Sequence, residues 1–219
     1  MTITDLNNVF QYLTLGLLFV NVELYLRSHN LFSKVMAYNL IFIYIILNLI
    51  TSLTLEYLYH NRIENLYLSN FYLIFQFILF SYFYLNLFKD KKQKKYVKTL
   101  FVVVILILTI QYLLYPLRFF YFNLLEVFLT SFPLITYSII HLYNSLATKG
   151  KFLYINAAIL IYLSSSTLIF FLGNFLRGLS KEDSNNIWLI LKILYSIFLI
   201  LFTLEWKNSF SSYKIKAQS

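Results

Sequence analysis

The stretch SNNIWLILKILYSIFLILFTLEWK, residues 184–207, decides the fold class of this chain. It is long and apolar enough to cross a membrane, because about 20 apolar residues in a helix span the roughly 30 Å hydrocarbon core. Lys192 nevertheless lies well inside it. A charge at that depth costs about 2.5–3.5 kcal/mol on insertion scales unless a partner holds it. The stretch therefore predicts a membrane helix that carries a candidate functional residue.

The composition of the whole chain also indicates a membrane protein. The 219 residues are 60% hydrophobic and only 12% charged, whereas a soluble domain carries roughly 25% charged residues. Seven apolar runs of spanning length follow one another: about 7–26, 35–58, 67–88, 97–116, 119–143, 152–176 and 185–206. Little chain remains for a soluble domain. We therefore expect an all-α integral membrane protein in which residues 1–219 form a single domain, a bundle of seven transmembrane helices.

The basic residues alternate in number from one connection to the next. Thirteen lie on one predicted side: Arg27, Lys34, Lys89, Lys91, Lys92, Lys94, Lys95, Lys98, Lys149, Lys151, Lys207, Lys214 and Lys216. Four lie on the other: Arg62, Arg118, Arg177 and Lys181. The positive-inside rule makes the side with thirteen cytoplasmic, with the N-terminus outside and the C-terminus in the cytoplasm. This topology accounts for the net charge of +9 without nucleic acid, and we expect the inner membrane of a bacterium.

The most basic stretch is KDKKQKKYVK at 89–98, which the sequence places in the connection between the third and fourth spans. Its lysines Lys91, Lys92, Lys94 and Lys95 are candidates for docking anionic lipid head groups or an acidic partner. Such contacts contribute about 1 kcal/mol per basic residue. The alternative is that these lysines only orient the chain in the membrane.

Polar residues within the spans fall on single helical faces, because helical neighbours lie three and four residues apart. The stripe on the fifth span consists of Asn123, Glu126, Thr130, Pro133, Tyr137, His141 and Asn144. The stripe on the seventh span consists of Asn185, Trp188, Lys192, Tyr195, Ser196, Leu199 and Thr203. We expect both stripes to face the interior of the bundle, because polar groups that face lipid are costly.

Glu126 and Lys192 have opposite charges and similar predicted depths, each about seven residues into its span and hence roughly 10 Å from the outer boundary. We hypothesise that they form an ion pair, directly or through water, in the outer half of the bundle. The candidate ligand-binding or ion-pair residues are Glu126, Lys192, Asn123, Gln76, Gln111, Trp188 and Tyr195. The candidates for a proton relay are His141 and Tyr137. The alternative is a structural pair that fixes the register of two helices.

Charged residues also lie near the predicted inner boundary. Glu23 and Arg27 have the i, i+4 spacing of a helical ion pair, and Glu205 neighbours Lys207. We expect these charges to reach water at the membrane surface.

Known enzyme motifs are missing. The chain has no HExxH, no GxSxG and no cysteine, so the common zinc, serine-nucleophile and thiolate sites are not indicated. Of the three histidines only His141 lies clearly within a span, so paired axial ligands for a membrane haem are lacking. We expect no metal and no cofactor, and an enzyme is not the favoured interpretation.

Seven spans with an external N-terminus and a lysine in the seventh resemble the general plan of the retinal-binding rhodopsins. The third span, from Tyr67 to Phe88, however, has no carboxylate that could act as a counterion. Trp188 and Trp206 are the only tryptophans, so those that wall the retinal are missing as well. A retinal pigment is therefore not predicted.

Two functions from different classes remain. The first is a sensor or signal-relay module that binds a small ligand or ion in the outer half of the bundle and acts through a separate cytoplasmic partner. The second is a small transporter or proton pathway lined by the stripe of the fifth span. The scarcity of helix breakers favours the sensor, because transporters often use helices broken near mid-membrane. A pore-forming or scaffolding subunit of a membrane complex is a third alternative.

Overall fold

The computed structural model describes residues 3–147, 150–175 and 181–216. These residues form seven α-helices and one 3₁₀-helix, with no β-strand among them. The α-helices are α1 (Ile3–Phe32), α2 (Met36–His60), α3 (Leu66–Leu87), α4 (Lys91–Leu114), α5 (Leu124–Ala147), α6 (Leu153–Phe175) and α7 (Lys181–Lys216). All seven are long and apolar enough to cross a membrane. The prediction of an all-α polytopic membrane protein, surrounded by a lipid bilayer, is thus confirmed.

Some of the basic residues counted above are outside this description. Lys149 and Arg177 lie outside the described residues, as do the side chains of Lys181, Lys214 and Lys216.

The prediction that residues 89–98 form a connection is wrong. α4 begins at Lys91, so only residues 88–90 separate it from α3. Asp90 caps α4, since its side chain accepts a hydrogen bond from the Lys92 backbone N–H at 3.0 Å. Aspartate is a strong helix cap, and lysine has a good helix propensity. Except for Lys89, the lysines of this stretch therefore lie on the first turns of a helix that continues directly into the membrane span.

The segment between α4 and α5 is longer than predicted. Residues Pro116–Phe120 form the 3₁₀-helix, whereas the sequence predicted a connection of only two residues, 117 and 118, and a fifth span beginning at residue 119. Asn70 of α3 holds this segment, because its Nδ2 donates hydrogen bonds to the carbonyl oxygens of Phe119 at 2.8 Å and Tyr121 at 2.9 Å. The backbone groups of this irregular segment are thus partly satisfied by a buried side chain, as burial requires.

α5 accordingly begins at Leu124, with Asn123 as its cap. The Asn123 carbonyl oxygen accepts from the Val127 N–H at 3.1 Å, and its side-chain oxygen accepts from the Glu126 N–H at 3.4 Å. Glu126 therefore lies in the first turn of α5. The prediction that it lies about seven residues into a span is wrong, because the chain turns into the helix later than its hydropathy suggests.

The chain divides into two compact units. One consists of residues 1–30 and 138–219, and holds α1, the end of α5, α6 and α7. We call it the terminal unit. The other consists of residues 31–137, and holds α2, α3, α4 and the start of α5. We call it the central unit. The single-domain organisation stays a prediction.

In the terminal unit, α1 and α7 lie side by side and run in the same direction. Three hydrogen bonds define their register: Asn7 Nδ2 to the Asn185 carbonyl at 3.0 Å, Asn21 Nδ2 to the Leu199 carbonyl at 3.1 Å, and Trp206 Nε1 to Ser28 Oγ at 2.8 Å. The two residues of each pair are 178 positions apart, so the contacts advance along both helices together. Parallel packing follows.

The α1 side of this contact repeats every seven residues. Asn7, Thr14, Asn21 and Ser28 are all buried. A seven-residue repeat keeps one face of a helix against a parallel partner over its whole length. Small and polar side chains suit such a contact in a membrane, because they allow close approach and hydrogen bonds between helices.

α6 joins the terminal unit through two further contacts. Its Tyr162 ring packs against the rings of Tyr195 and Phe198 on α7, at 5.6 and 5.2 Å between centroids. Ser138 in the second half of α5 and Asn156 of α6 are both fully buried. Ser138 Oγ donates to the Asn156 carbonyl at 2.8 Å, and Asn156 Nδ2 donates to the Ser138 carbonyl at 3.1 Å. This reciprocal pair fixes α5 against α6.

Candidate functional site

The candidate site lies in the central unit, where the end of α4 meets the start of α5. Glu126 is fully buried there, and its Oε2 accepts a hydrogen bond from the Tyr112 hydroxyl. The same hydroxyl accepts from Asn123 Nδ2 at 3.1 Å. The Asn123 side-chain oxygen also accepts from the Glu126 N–H. Tyr112, Asn123 and Glu126 thus form a closed hydrogen-bonded group, which we call the Glu126 triad.

The local sequence explains this arrangement. Asn-Leu-Leu-Glu at 123–126 has the spacing of a helix capping box, in which the cap side chain accepts from the N–H of the third helical residue. In a complete box the glutamate side chain returns to the N–H of the cap. Here Oε2 of that carboxyl group is held by Tyr112 instead. A carboxylate in the first turn of a helix is also favoured by the helix dipole, by about 0.3–1 kcal/mol.

Two side chains at this junction have unused hydrogen-bonding capacity. Among the described residues, Glu126 Oε1 has no hydrogen-bond partner, and neither has either amide atom of Gln111. Gln111 precedes Tyr112 on α4 and is 7% exposed. Buried polar groups are nearly always satisfied, and an unsatisfied one costs about 1–3 kcal/mol. Glu126 Oε1 and Gln111 Oε1 are therefore both unused acceptors, and carboxyl and amide oxygens are the kind that hard cations prefer.

Gln76 belongs to a second polar group of the central unit, between α2 and α3. Its Nε2 donates to the hydroxyls of Tyr44 and Tyr72, both at 3.1 Å. Those two hydroxyls lie 2.6 Å apart. The amide of Gln76 is thus used in holding α2 against α3, and its membership of the Glu126 network stays a prediction.

Lys192 lies in the terminal unit, where its Nζ donates to the main-chain carbonyl oxygen of Asn7 at 3.0 Å. The register of α1 and α7 places Lys192 level with Thr14, so the ammonium group reaches toward the start of both helices. Side chains on a helix tilt toward its N-terminus, and lysines in membranes direct their charge toward the nearer surface in this way. Pairing with Glu126 stays a prediction, because the two residues belong to different units.

The other two candidates on α7 differ in exposure. Tyr195 is half-buried and packs against Phe198 of its own helix and Tyr162. Trp188 is 54% exposed, so the prediction that the whole stripe of the seventh span faces the interior is wrong at this residue. A tryptophan near the start of a membrane helix suits the membrane interface, since its ring is apolar and its N–H is polar.

The polar face of α5 is buried along most of its length. Glu126, Thr130, Tyr137 and His141 are at most 6% exposed, and Asn123 is 7% exposed. The prediction that this stripe faces the interior is confirmed for these residues. Pro133 lies inside α5, as the stripe predicted.

Tyr137 connects α5 to the start of α4. Its hydroxyl donates to the Val97 carbonyl oxygen at 3.4 Å. Its ring packs edge-on against Tyr84 of α3 and Tyr96 of α4, with centroids 5.7 and 6.1 Å apart. These contacts position Tyr137 structurally. A proton relay through Tyr137 and His141 stays a prediction.

Sequence reasoning missed two residues with clear structural roles. The first is Tyr112: the capping box at 123–126 marks the start of α5, but no local pattern indicates that the end of α4 lies beside it. The second is Glu205, which is 1% exposed. Its Oε2 accepts from the Tyr154 N–H in the first turn of α6 at 2.9 Å, and its Oε1 accepts from Ser209 Oγ.

The expectation that Glu205 reaches water is therefore wrong, because the first turn of α6 offers it unpaired N–H groups. Glu23 and Arg27 do form the predicted i, i+4 ion pair, and both are exposed.

Comparisons with known proteins identify no relative, since no protein-family model, no curated protein and no solved structure matches the chain.

Proposed function

We propose that this protein is a membrane-embedded sensor of a small monovalent cation, a proton included, and that Glu126 supplies the charged group of its site. The observation that carries the proposal is the fully buried Glu126 carboxyl group, with one oxygen held by Tyr112 and the other without a partner among the described residues. An ionisable residue within a membrane helix is a functional-site hypothesis by default.

The chemistry of the group sets the class of ligand. Glu126 is the one carboxylate in the triad, and Gln111 offers a neutral amide oxygen. A single negative charge with neutral oxygens suits a monovalent cation, whereas calcium sites usually combine several carboxylates. Entry of the cation would give Glu126 Oε1 a partner, which no group in the described part of the chain provides.

The central unit supports a route for relaying this event. α4 and α5 are tied at two levels, by Tyr112 with Glu126 near one end and by Tyr137 with Val97 near the other. The two levels are eleven residues apart on α5, or about 16 Å. Pro133 lies between them and weakens the helix there, since proline lacks the N–H that would bond to the preceding turn. A rearrangement at Glu126 would thus reach the start of α4 through α5.

The distribution of basic residues indicates which end of the central unit would face a signalling partner. In the central unit, the end where α4 begins carries seven lysines and one aspartate: Lys34, Lys89, Lys91, Lys92, Lys94, Lys95, Lys98 and Asp90. By the positive-inside rule we propose that this end is cytoplasmic, that the N-terminus is outside, and that the membrane is the inner membrane of a bacterium. A separate cytoplasmic partner would read the change there.

A small transporter or proton pathway is the second candidate, favoured by the buried polar face of α5. The hydroxyls on this face weigh against it, because protein groups already use them. Thr130 Oγ1 donates to the Glu126 carbonyl at 2.8 Å, Tyr137 donates to Val97, and Ser138 donates to Asn156. A conducting route would need such groups to be available to the ion or to water.

The test compares binding with transport. The protein in nanodiscs is unfolded by heat across a titration of sodium, potassium and lithium chloride at constant ionic strength, and across pH. A bound cation should raise stability by about 2.7 kcal/mol at one hundred times its Kd. We expect Glu126→Gln to abolish this gain and Glu64→Gln, the same change at an exposed position, to retain it.

Equal stabilisation of the wild type and Glu126→Gln would contradict the assignment. Measurement of cation and proton flux in proteoliposomes distinguishes the sensor from the transporter. We expect no flux if the protein is a sensor. Cation or proton flux that Glu126→Gln abolishes would replace the sensor with the transporter.

A further inference from the structure

The lysines at the start of α4 form one exposed surface. Lys91, Lys95 and Lys98 share a helical face, and all three are exposed. Lys92, beside them, is also exposed, whereas Val97 on the opposite face is fully buried. We call the surface made by Lys91, Lys92, Lys95 and Lys98 the lysine collar.

The collar needs an anion that the described part of the chain does not provide. Among the described residues, no lysine of the collar forms an ion pair. Asp90 is the nearest acidic residue in the sequence, and its side chain caps α4. Positive charges at a helix N-terminus are unfavourable, because the helix dipole is itself positive there. Five lysines in the first eight residues of α4, four of them in the collar, are therefore an arrangement that a bound anion would stabilise.

The depth of the collar selects the occupant. The head-group layer on each side of a membrane is about 5–8 Å thick, the difference between the total and hydrocarbon thicknesses divided by two. α4 is continuous from Lys91 to Leu114, and its apolar part begins at Leu100. Lys95 and Lys98 therefore lie within about 8 Å of the apolar part along the helix axis, at the level of lipid head groups.

We propose that the lysine collar is a binding site for anionic phospholipid head groups. Lipid is favoured over an acidic protein because the collar continues without a break into a membrane helix, so that head groups are necessarily within reach. This inference does not depend on the sensor proposal. Its physical basis is the surface attraction of basic residues for anionic lipid, which corresponds to about fivefold in affinity for each lysine.

The experiment measures lipid binding by the purified full chain. Detergent-solubilised protein is titrated with phosphatidylglycerol or phosphatidylcholine, and the bound lipid is counted by native mass spectrometry. The variant Lys91→Gln/Lys95→Gln/Lys98→Gln is compared with Arg62→Gln/Arg118→Gln/Lys151→Gln, which removes the same charge at exposed positions elsewhere. We expect the wild type to prefer phosphatidylglycerol, the collar variant to lose roughly one hundredfold in affinity for it, and the control to lose little.

Two results would overturn the proposal. Equal loss in both variants would mean that net charge rather than the collar attracts the lipid. Equal binding of the two lipids by the wild type would leave an acidic protein as the occupant of the collar.

A second measurement tests the proposal without mutation, in case the collar variant fails to insert into the membrane. The folded wild-type protein is acetylated, which removes lysine charge, or reductively methylated, which keeps it. We expect acetylation of the collar lysines to abolish the preference for phosphatidylglycerol and methylation to preserve it. Retention of the preference after acetylation would contradict the proposal.

Discussion

Lys192 Nζ donates a hydrogen bond to the main-chain carbonyl oxygen of Asn7, at 3.0 Å. The two residues lie on parallel helices. Lys192 lies opposite Thr14, and Asn7 lies seven residues closer to the start of α1. The lysine in the last membrane helix is therefore not simply exposed to lipid. Its charge is directed along the contact between α1 and α7 to a backbone oxygen of the first helix, which lowers the cost of placing it in the membrane.

The predicted pair of Glu126 and Lys192 can be tested by a double-mutant cycle. If the two charges interact, Glu126→Gln and Lys192→Met together should destabilise the protein by about 0.5–3 kcal/mol less than the sum of the single changes. The physical reason is that each single change leaves one buried charge without its partner. Unfolding of the four proteins in the same detergent gives the coupling energy. Strict additivity would refute the pair and leave Asn7 as the explanation for Lys192.

Tyr112→Phe should destabilise the Glu126 triad. The change removes the donor to Glu126 Oε2 and the acceptor of Asn123 Nδ2, and an unsatisfied buried group costs about 1–3 kcal/mol. The free energy of unfolding should fall by that amount. Tyr115→Phe makes the same change at a 56% exposed tyrosine and should stay within about 0.5 kcal/mol of the wild type. Similar losses in both variants would show that the triad adds no specific stability.

Asn21→Leu should weaken the contact between α1 and α7. Asn21 is fully buried; its Nδ2 donates to the Leu199 carbonyl, and its Oδ1 accepts from Thr203 Oγ1 at 3.3 Å. Hydrogen bonds between membrane helices contribute about 0.6 kcal/mol on average and up to about 1.7, which is the expected loss. Asn8→Leu, on the exposed side of α1, is the control. An unchanged free energy of unfolding for Asn21→Leu would refute a role for these hydrogen bonds between α1 and α7 in stability.

Glu205→Gln should destabilise the start of α6. The carboxylate accepts from the Tyr154 N–H and from Ser209 Oγ, and a negative charge at a partly buried helix N-terminus contributes up to about 2 kcal/mol. The amide of the glutamine keeps one oxygen acceptor, but its NH₂ group is a donor and would face the Tyr154 N–H or the Ser209 hydroxyl, which are donors as well. Glu23→Gln, which removes an exposed ion pair, should cost less than about 1 kcal/mol. If hydrogen exchange at the start of α6 is unchanged in Glu205→Gln, the capping role is wrong.

The seven helices could be predicted from hydropathy alone, because the requirement for about 20 apolar residues acts on each span separately. The same signal misplaced two helix starts. The start of α4 was predicted too late, because hydropathy excludes charged residues, such as Lys91, that a helix accepts. The start of α5 was predicted too early, because hydropathy includes aromatic residues, such as Phe119, that form a connection. Caps decide these boundaries, and Asp90 and Asn123 were visible in the sequence.

The candidate site was only partly predictable. Glu126 and Asn123 stand out as polar residues in an apolar span, and the structure places them together. Tyr112 could not be assigned, because its role depends on how the chain returns from α4 to α5 through the 3₁₀-helix. The seven-residue repeat at Asn7, Thr14, Asn21 and Ser28 is visible in the sequence. Its role in packing becomes apparent only from the contact of α1 with α7 in the structure.

The proposed relay from Glu126 to the start of α4 can be followed with a single fluorescent label. The chain contains no cysteine, so Lys89→Cys gives a single labelling site beside the cap of α4 for an environment-sensitive fluorophore. We expect the emission to change as the cation that stabilises the protein is added in nanodiscs. That change should disappear in Glu126→Gln and persist in Glu64→Gln. An emission that does not respond, or that responds equally in Glu126→Gln, would contradict a relay that begins at Glu126.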